Sequence, residues 1–204
     1  MSEVDIMNAA LIKVGEKRIT ARDEGTVQAN ACAERYDDLR DLLLRGHEWS
    51  FATRRTSLAR SIITPDHEFQ YQFPLPTDWL RTIKVSSTTL GNTNVVYRMA
   101  SHPTDLRVLL TDAENLYLTY VAKITDTSLM PADFREALAC RLASDLASRL
   151  KQSNTLMEML DRQAQFALMA AKSADGIEDF PVERPAGSWV TSRRQGRNWP
   201  QVGW

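Results

Sequence analysis

Three histidines, two cysteines and a dense set of carboxylates are the side chains in this 204-residue chain best suited to catalysis or metal binding. His47, His67 and His102 each lack a second ligand at helical or strand spacing, so none opens a paired-histidine zinc site. Surface or capping roles suit them better. Carboxylates gather at Asp37, Asp38 and Asp41, at Asp126, and at Asp175, Glu178 and Asp179. A glycoside hydrolase needs two carboxylates roughly 5–10 Å apart with split pKa values. A charged run on a helix is more simply a solvated face. Cys32 falls on an apolar helical seam, where a thiol behaves as a small hydrophobe. Cys140 has Arg141 beside it but no adjacent histidine to activate it, so both thiols read as structural. The chain carries no glycine-rich phosphate loop, dinucleotide fingerprint or nucleophile elbow. The expectation is a non-enzyme without cofactor or metal.

Two further groups of residues suit binding. Arg54-Arg55 and Arg193-Arg194 are the doubled arginines. Two or three phosphate contacts give little affinity for DNA at physiological salt, whereas arginine pairs well with carboxylates at a subunit boundary. Phe69, Tyr71 and Phe73 could stack on bases, but a sheet core explains the row more simply. The stretch from Asp175 to Trp204 differs from all that precedes it. It holds three of the five tryptophans (Trp189, Trp199, Trp204), half of the glycines, and Pro181, Pro185 and Pro200. Acids come first and bases later. Tryptophan and arginine dominate binding hot spots, and disordered tails are usually poor in aromatics. The stretch reads as an extended interaction arm.

The elements that must position these groups follow from periodicity. Ser2 caps a first helix whose Met7, Ala10, Leu11 and Val14 share a face, and Gly15 stops it. A second helix follows Gly25, with Ala29, Cys32, Tyr36, Leu39 and Leu43 on its seam and Gly46 at its end. From Trp49 the period drops to two: Phe69/Tyr71/Phe73, Ile83/Val85, Val95/Tyr97/Met99, Leu106/Val108/Leu110 and Leu116/Leu118/Tyr120 alternate with polar residues. The connections are short, which favours antiparallel neighbours in one small sheet or open barrel. Pro131 starts a third helix with Leu138, Leu142, Leu146 and Leu150 four apart. Ser153 or Asn154 opens a fourth, with Leu156, Leu160, Ala164, Ala167 and Ala171 on one face. The fold expected is α+β, a four-helix bundle with an inserted antiparallel β lobe. Its parts are residues 1–48 (helices), 49–124 (β lobe), 125–174 (helices) and 175–204 (arm).

Composition agrees with a globular chain, 43% hydrophobic and 25% charged with a net charge of −1. No segment approaches the roughly 20 apolar residues of a membrane span. The acidic opening, MSEVDIMNAALIKVG, is unlike a secretory signal, and synthesis in a reducing cytoplasm is expected. The near-neutral charge argues against tight wrapping of nucleic acid.

Four blocks occur in order: IMNAALIKVGEKRI, ERYDDLRDLLLRGHEWSFATRRTSLA, FQYQFPLPTDWLRTIKV and LYLTYVAKITDTSLMPADFREALACRLASDLASRL. Together, from about Ile6 to Leu150, they resemble the tail tubular protein A family of short-tailed bacteriophages (podoviruses), the head-to-tail adaptors or gatekeepers beneath the portal. The resemblance implies a helical bundle with a β lobe. It also implies a structural virion protein at the head-tail junction, a homo-oligomeric ring of about twelve subunits under the portal protein. That ring would continue the DNA channel without sequence-specific binding and carry the tail nozzle, tubular protein B. By analogy, the arm would reach the portal, with Trp189, Trp199 and Trp204 as anchors and Arg193, Arg194 and Arg197 pairing portal acids. Ending the chain at Gly176 is then expected to spare the fold and abolish docking. A tail-associated glycan hydrolase and a soluble helical scaffold unrelated to virions are the alternatives.

Overall fold

The computed structural model describes residues 2–91, 95–101 and 107–178. Within them the chain is α+β, with four helices and two three-stranded antiparallel sheets. The order is α1 (Glu3–Val14), α2 (Val27–Arg45), β1 (Thr53–Leu58), β2 (Tyr71–Pro74), β3 (Trp79–Ser86), β4 (Arg98–Ser101), β5 (Arg107–Thr111), β6 (Leu116–Ala122), α3 (Ala132–Leu146) and α4 (Asn154–Glu178).

The helix signals work as expected. The Ser2 hydroxyl accepts the Asp5 amide at 3.2 Å, and the Ser2 amide donates to the Asp5 carboxylate at 2.7 Å. This reciprocal box satisfies two otherwise orphaned donors. Gly15 adopts φ +76°, a left-handed cap that returns its amide to the carbonyl of Ile12 at 3.0 Å and that suits glycine best. Thr26 caps α2 by accepting the Ala29 amide. The α2 seam residues Ala29, Cys32, Tyr36, Leu39 and Leu43 are all buried.

Helix α3 occupies the middle, in contact with α1, α2 and α4. Its Leu138, Leu142 and Leu146 are fully buried among small alanines, which let neighbouring helices approach. Ion pairs trace the same arrangement at the surface. Lys13–Glu136 ties α1 to α3, Arg35–Asp145 ties α2 to α3, and Arg141–Asp161 ties α3 to α4. The α3–α4 corner is a π-helical segment, Ala147–Lys151, closed by Gln152 at φ +49°. Leu150, expected to extend the buried row, is therefore only half-buried.

The β region departs from the expected single sheet. Strand orders are β1-β6-β3 and β2-β5-β4, so Pro74-Leu75-Pro76 and Asp112–Asn115 carry the chain between sheets instead of closing hairpins. Prolines lack the ladder donor, and side chains take over backbone bonds at the second crossing. Thr111 Oγ1 donates to the Val96 carbonyl, and the Asp112 carboxylate accepts the Gln70 amide at 2.9 Å.

Strand β1, TRRTSL, has no apolar alternation and escaped the periodic reading; its pairing with β6 creates it. The expected strand over Glu68–Phe73 begins only at Tyr71, because Glu68 turns the chain at φ +69°. Gln72, expected to face solvent, is buried, and its amide donates to Ser61 Oγ at 3.3 Å. Val96 and Tyr97, which precede β4, and Met99 on that edge strand are exposed. In β5 both Val108 and Leu109 are buried, Leu109 with Phe73 in the main core; Leu106 lies outside the described residues. Strand β6, flanked on both sides, buries Leu116, Leu118 and Tyr120 as its alternation requires.

Candidate functional site

The α2 carboxylates are engaged within the fold. Arg40 is 1% exposed. Its Nη1 donates to Asp37 at 2.8 Å, while Nε and Nη2 converge on one oxygen of Asp41 at 2.9 and 2.8 Å. Arg22 bonds Asp37 from the loop before α2 and also reaches Glu3, and Lys123 pairs with Asp41 at 2.8 Å. The guanidinium groups of Arg22 and Arg40 lie 5.9 and 6.0 Å from the centre of the buried Tyr36 ring. Burial alone would raise the Asp37 pKa, but the Arg22 hydrogen bond and the charges of Arg40, Arg22 and Lys123 hold it below the ordinary carboxylate value. These carboxylates hold cations, so the solvated-face reading fits Asp38 better than Asp37 or Asp41. Asp126 accepts the Ser128 amide at 2.8 Å and caps the short Thr127–Leu129 turn.

His47 does not stand alone. Its Nε2 lies 3.1 Å from Asp175 Oδ2, and the other oxygen of Asp175 accepts the Ser50 amide at 2.9 Å. The three residue types match a hydrolytic triad, but Asp175 holds the Ser50 backbone and not its hydroxyl, so the geometry is a clamp. Trp49 lies fully buried beneath it, donating Nε1–H to the Leu43 carbonyl at 3.0 Å. The His47 and Phe134 rings meet Trp49 edge-on at 4.7 and 5.0 Å. Asp175, assigned by sequence to the arm, is thus 9% exposed inside α4, which continues to Glu178. A chain ended at Gly176 would cut beside this clamp, so that truncation does not cleanly separate arm from fold.

The remaining reactive candidates are quiet. Burial pushes the thiols of Cys32 and Cys140 up to about 11, far from the thiolate a nucleophile needs. Arg54 pairs with Asp78 of its own chain, and Tyr120 donates to the same carboxylate at 3.0 Å. His67 is exposed. No cluster of three or more metal-ligating side chains occurs among the described residues. No helix among them is long and apolar enough to cross a membrane.

Among the described residues, the outer face of α4 presents a row of exposed apolar side chains. Leu160, Ala164 and Ala171 are buried against α3, whereas Met159, Phe166, Met169 and Ile177 are 54, 72, 66 and 81% exposed. At 100° per residue Met159, Phe166 and Ile177 share one line, flanked by Met169 and spanning about 27 Å. Beside the buried face runs a groove of about 300 Å³, formed by Leu42 and Leu43 of α2, Ala137 and Arg141 of α3, and Ala164, Leu168 and Lys172 of α4. The arm residues Trp189, Arg193, Arg194, Arg197, Trp199 and Trp204, together with His102, lie outside the described residues.

Sequence reasoning missed the buried Arg40 and the His47–Asp175 pair. The Asp37/Arg40/Asp41 spacing was a visible signal for the first, since residues three apart meet on a helix. The second joins positions too far apart in sequence to signal each other. No family model matches this chain, and no curated protein matches it either.

Proposed function

We propose that the chain is a subunit of a head-to-tail adaptor ring in a short-tailed bacteriophage, a structural virion protein. In this reading it sits under the portal, continues the DNA channel and carries the tail nozzle. Its helices act as a bundle, the two sheets as an inserted lobe, and the residues after Glu178 as an arm to the portal. The four blocks between Ile6 and Leu150 support the assignment. The observation that carries it is the two-faced α4: one face packs on α3 while the other offers an exposed apolar row that ends where the Trp- and Arg-rich segment begins. Rows of this kind mark protein interfaces, and a ring needs two unlike surfaces that meet head to tail. A near-zero net charge suits a channel that must let DNA pass, because deep electrostatic wells would hold it.

The test is negative-stain electron microscopy of the full chain, alone and mixed with the portal of the same phage. Rings of about twelve subunits, free or capping the portal, are expected. Replacing Trp189, Trp199 and Trp204 with Ala is expected to abolish capping without unfolding the subunit. A persistent monomer indifferent to portals would overturn the reading. The glycan-hydrolase alternative gains no support from the α2 carboxylates, whose Asp37 and Asp41 are bound to arginine and lysine.

A further inference from the structure

The groove between α2, α3 and α4 is open and apolar. Leu42 stands 58% exposed on its α2 wall. Ala137, Ala164 and Leu168 form the floor, and Arg141 and Lys172 stand at the rim. Its volume of about 300 Å³ is at the small end for ligand pockets and matches one large side chain better than a cofactor.

The chain supplies such a side chain within reach. Leu168 lies ten residues, about 15 Å, back along α4 from Glu178. Phe180 follows Glu178 too closely to double back that far. Trp189 comes eleven residues after Glu178, enough to span up to about 36 Å when extended. Between them lie Asp179 and Glu183, whose charges complement Lys172, with one base, Arg184. Gly187 and Ser188 precede the indole and give the backbone freedom to turn it inward.

We propose that this groove is the docking site for the chain's own C-terminal segment, with Trp189 seated between Leu42 and Leu168. The docked indole covers the apolar floor. Any partner that takes Trp189 must first draw it out of the groove. Indole insertion into a desolvated pocket is the usual form of a binding hot spot. Tethering makes the event intramolecular, so even a weak contact is well populated. The adaptor assignment also draws on Trp189, but the inference does not rest on it, since the groove is a different face of α4 from the exposed apolar row.

Disulfide trapping in the full chain tests it, because the native thiols Cys32 and Cys140 are buried. Gln165→Cys places a thiol at the groove, and Ser188→Cys places one beside Trp189 while keeping the indole. A control pairs Ser188→Cys with Gln163→Cys, on another face of α4. Under a glutathione redox buffer the groove pair is expected to close within the monomer at least tenfold faster than the control pair. Adding Trp189→Ala to the groove pair is expected to remove that advantage, and adding Trp199→Ala to leave it. Equal rates for both pairs, or an advantage that survives Trp189→Ala, would overturn the proposal. Cross-links that form only between chains would overturn it too, assigning the groove to the segment of a second copy. None of these outcomes depends on ring formation or portal binding.

Discussion

Helices α2 and α4 are both amphipathic, yet they dispose of their second faces in opposite ways. On α2 the apolar seam is buried, and several of the polar side chains that flank it are committed: Asp37, Arg40 and Asp41 to a network with Arg22 and Lys123, and Arg35 to Asp145. On α4 the inner face is buried, and the outer face carries an exposed apolar row over several turns with none of the described residues packed upon it. The difference separates charge that builds a fold from apolar surface that the described fold leaves open. A carboxylate-rich helix invites a catalytic reading, but here the charges stabilise the helix's own position.

The sharpest way to break the comparison is to remove the buried cation. Arg40→Ala removes the buried cation that Asp37 and Asp41 share, but Arg22 and Lys123 stay with those partly exposed carboxylates, so the expected cost is that of the lost charged hydrogen bonds, about 1.5–3 kcal/mol. Urea unfolding should show that loss; a change under 1 kcal/mol would mean that α2 does not depend on its network. Next comes the α4 clamp. Asp175→Ala removes the acceptor of the Ser50 amide and the partner of His47, an expected cost of about 1–3 kcal/mol in the same assay. On the outer face of α4 the expectation reverses. Phe166→Gln and Met169→Gln should each change monomer stability by less than about 0.5 kcal/mol, while rings vanish from micrographs. Rings that survive both substitutions together would detach this face from assembly.

The smallest effect concerns the loop before α2. Amide and hydroxyl donors from Thr20 and the Thr26 hydroxyl hold Glu24 at a pKa of about 2, below its ordinary 4.5. A folded value below the unfolded one gives a contribution that is complete above about pH 4.5 and fades as pH falls toward 2. Glu24→Gln should therefore lower stability slightly at pH 7 and flatten the acid limb, the difference from the parent chain vanishing as pH falls toward 2. A variant that lowers stability equally at both pH values would show that the hydrogen bonds, and not the charge, matter.

Legibility in the sequence tracked locality. Ser2, Gly15 and Gly46 mark helix ends through bonds to residues a few positions away, and such signals survive in a linear string, whereas the Thr26 cap of α2 went unread beside Gly25. The seam of α2 and the leucines of α3 were readable because burial repeats with the helical period. The two sheets were not, since β1 pairs with β6 across most of the β region and its TRRTSL carries no pattern of its own. The short turns misled in the same way: proximity in sequence suggested hairpins, while Thr111, Asp112 and the prolines diverted the backbone donors. At the surface, Met159, Phe166 and Met169 were legible as apolar but not as exposed, because which side of α4 meets α3 is decided by Leu160, Ala164 and Ala171. The buried Asp175 was misplaced for a related reason, as acidic residues near glycine and proline resemble the start of a linker.

The clamp at Asp175 also sets a path for mechanical load. A pull on the residues beyond Glu178 would first meet the last turn of α4, where Asp175 is fastened to the Ser50 amide and to His47. Behind those bonds stands the Trp49 ring, braced by Phe134 and Phe51. Tension therefore passes sideways into the junction between α2 and β1 before it can peel α4 from α3 turn by turn. Several bonds sharing a force in shear resist it better than one bond opened at a time, so the end of α4 serves as a cleat for whatever line is tied to it.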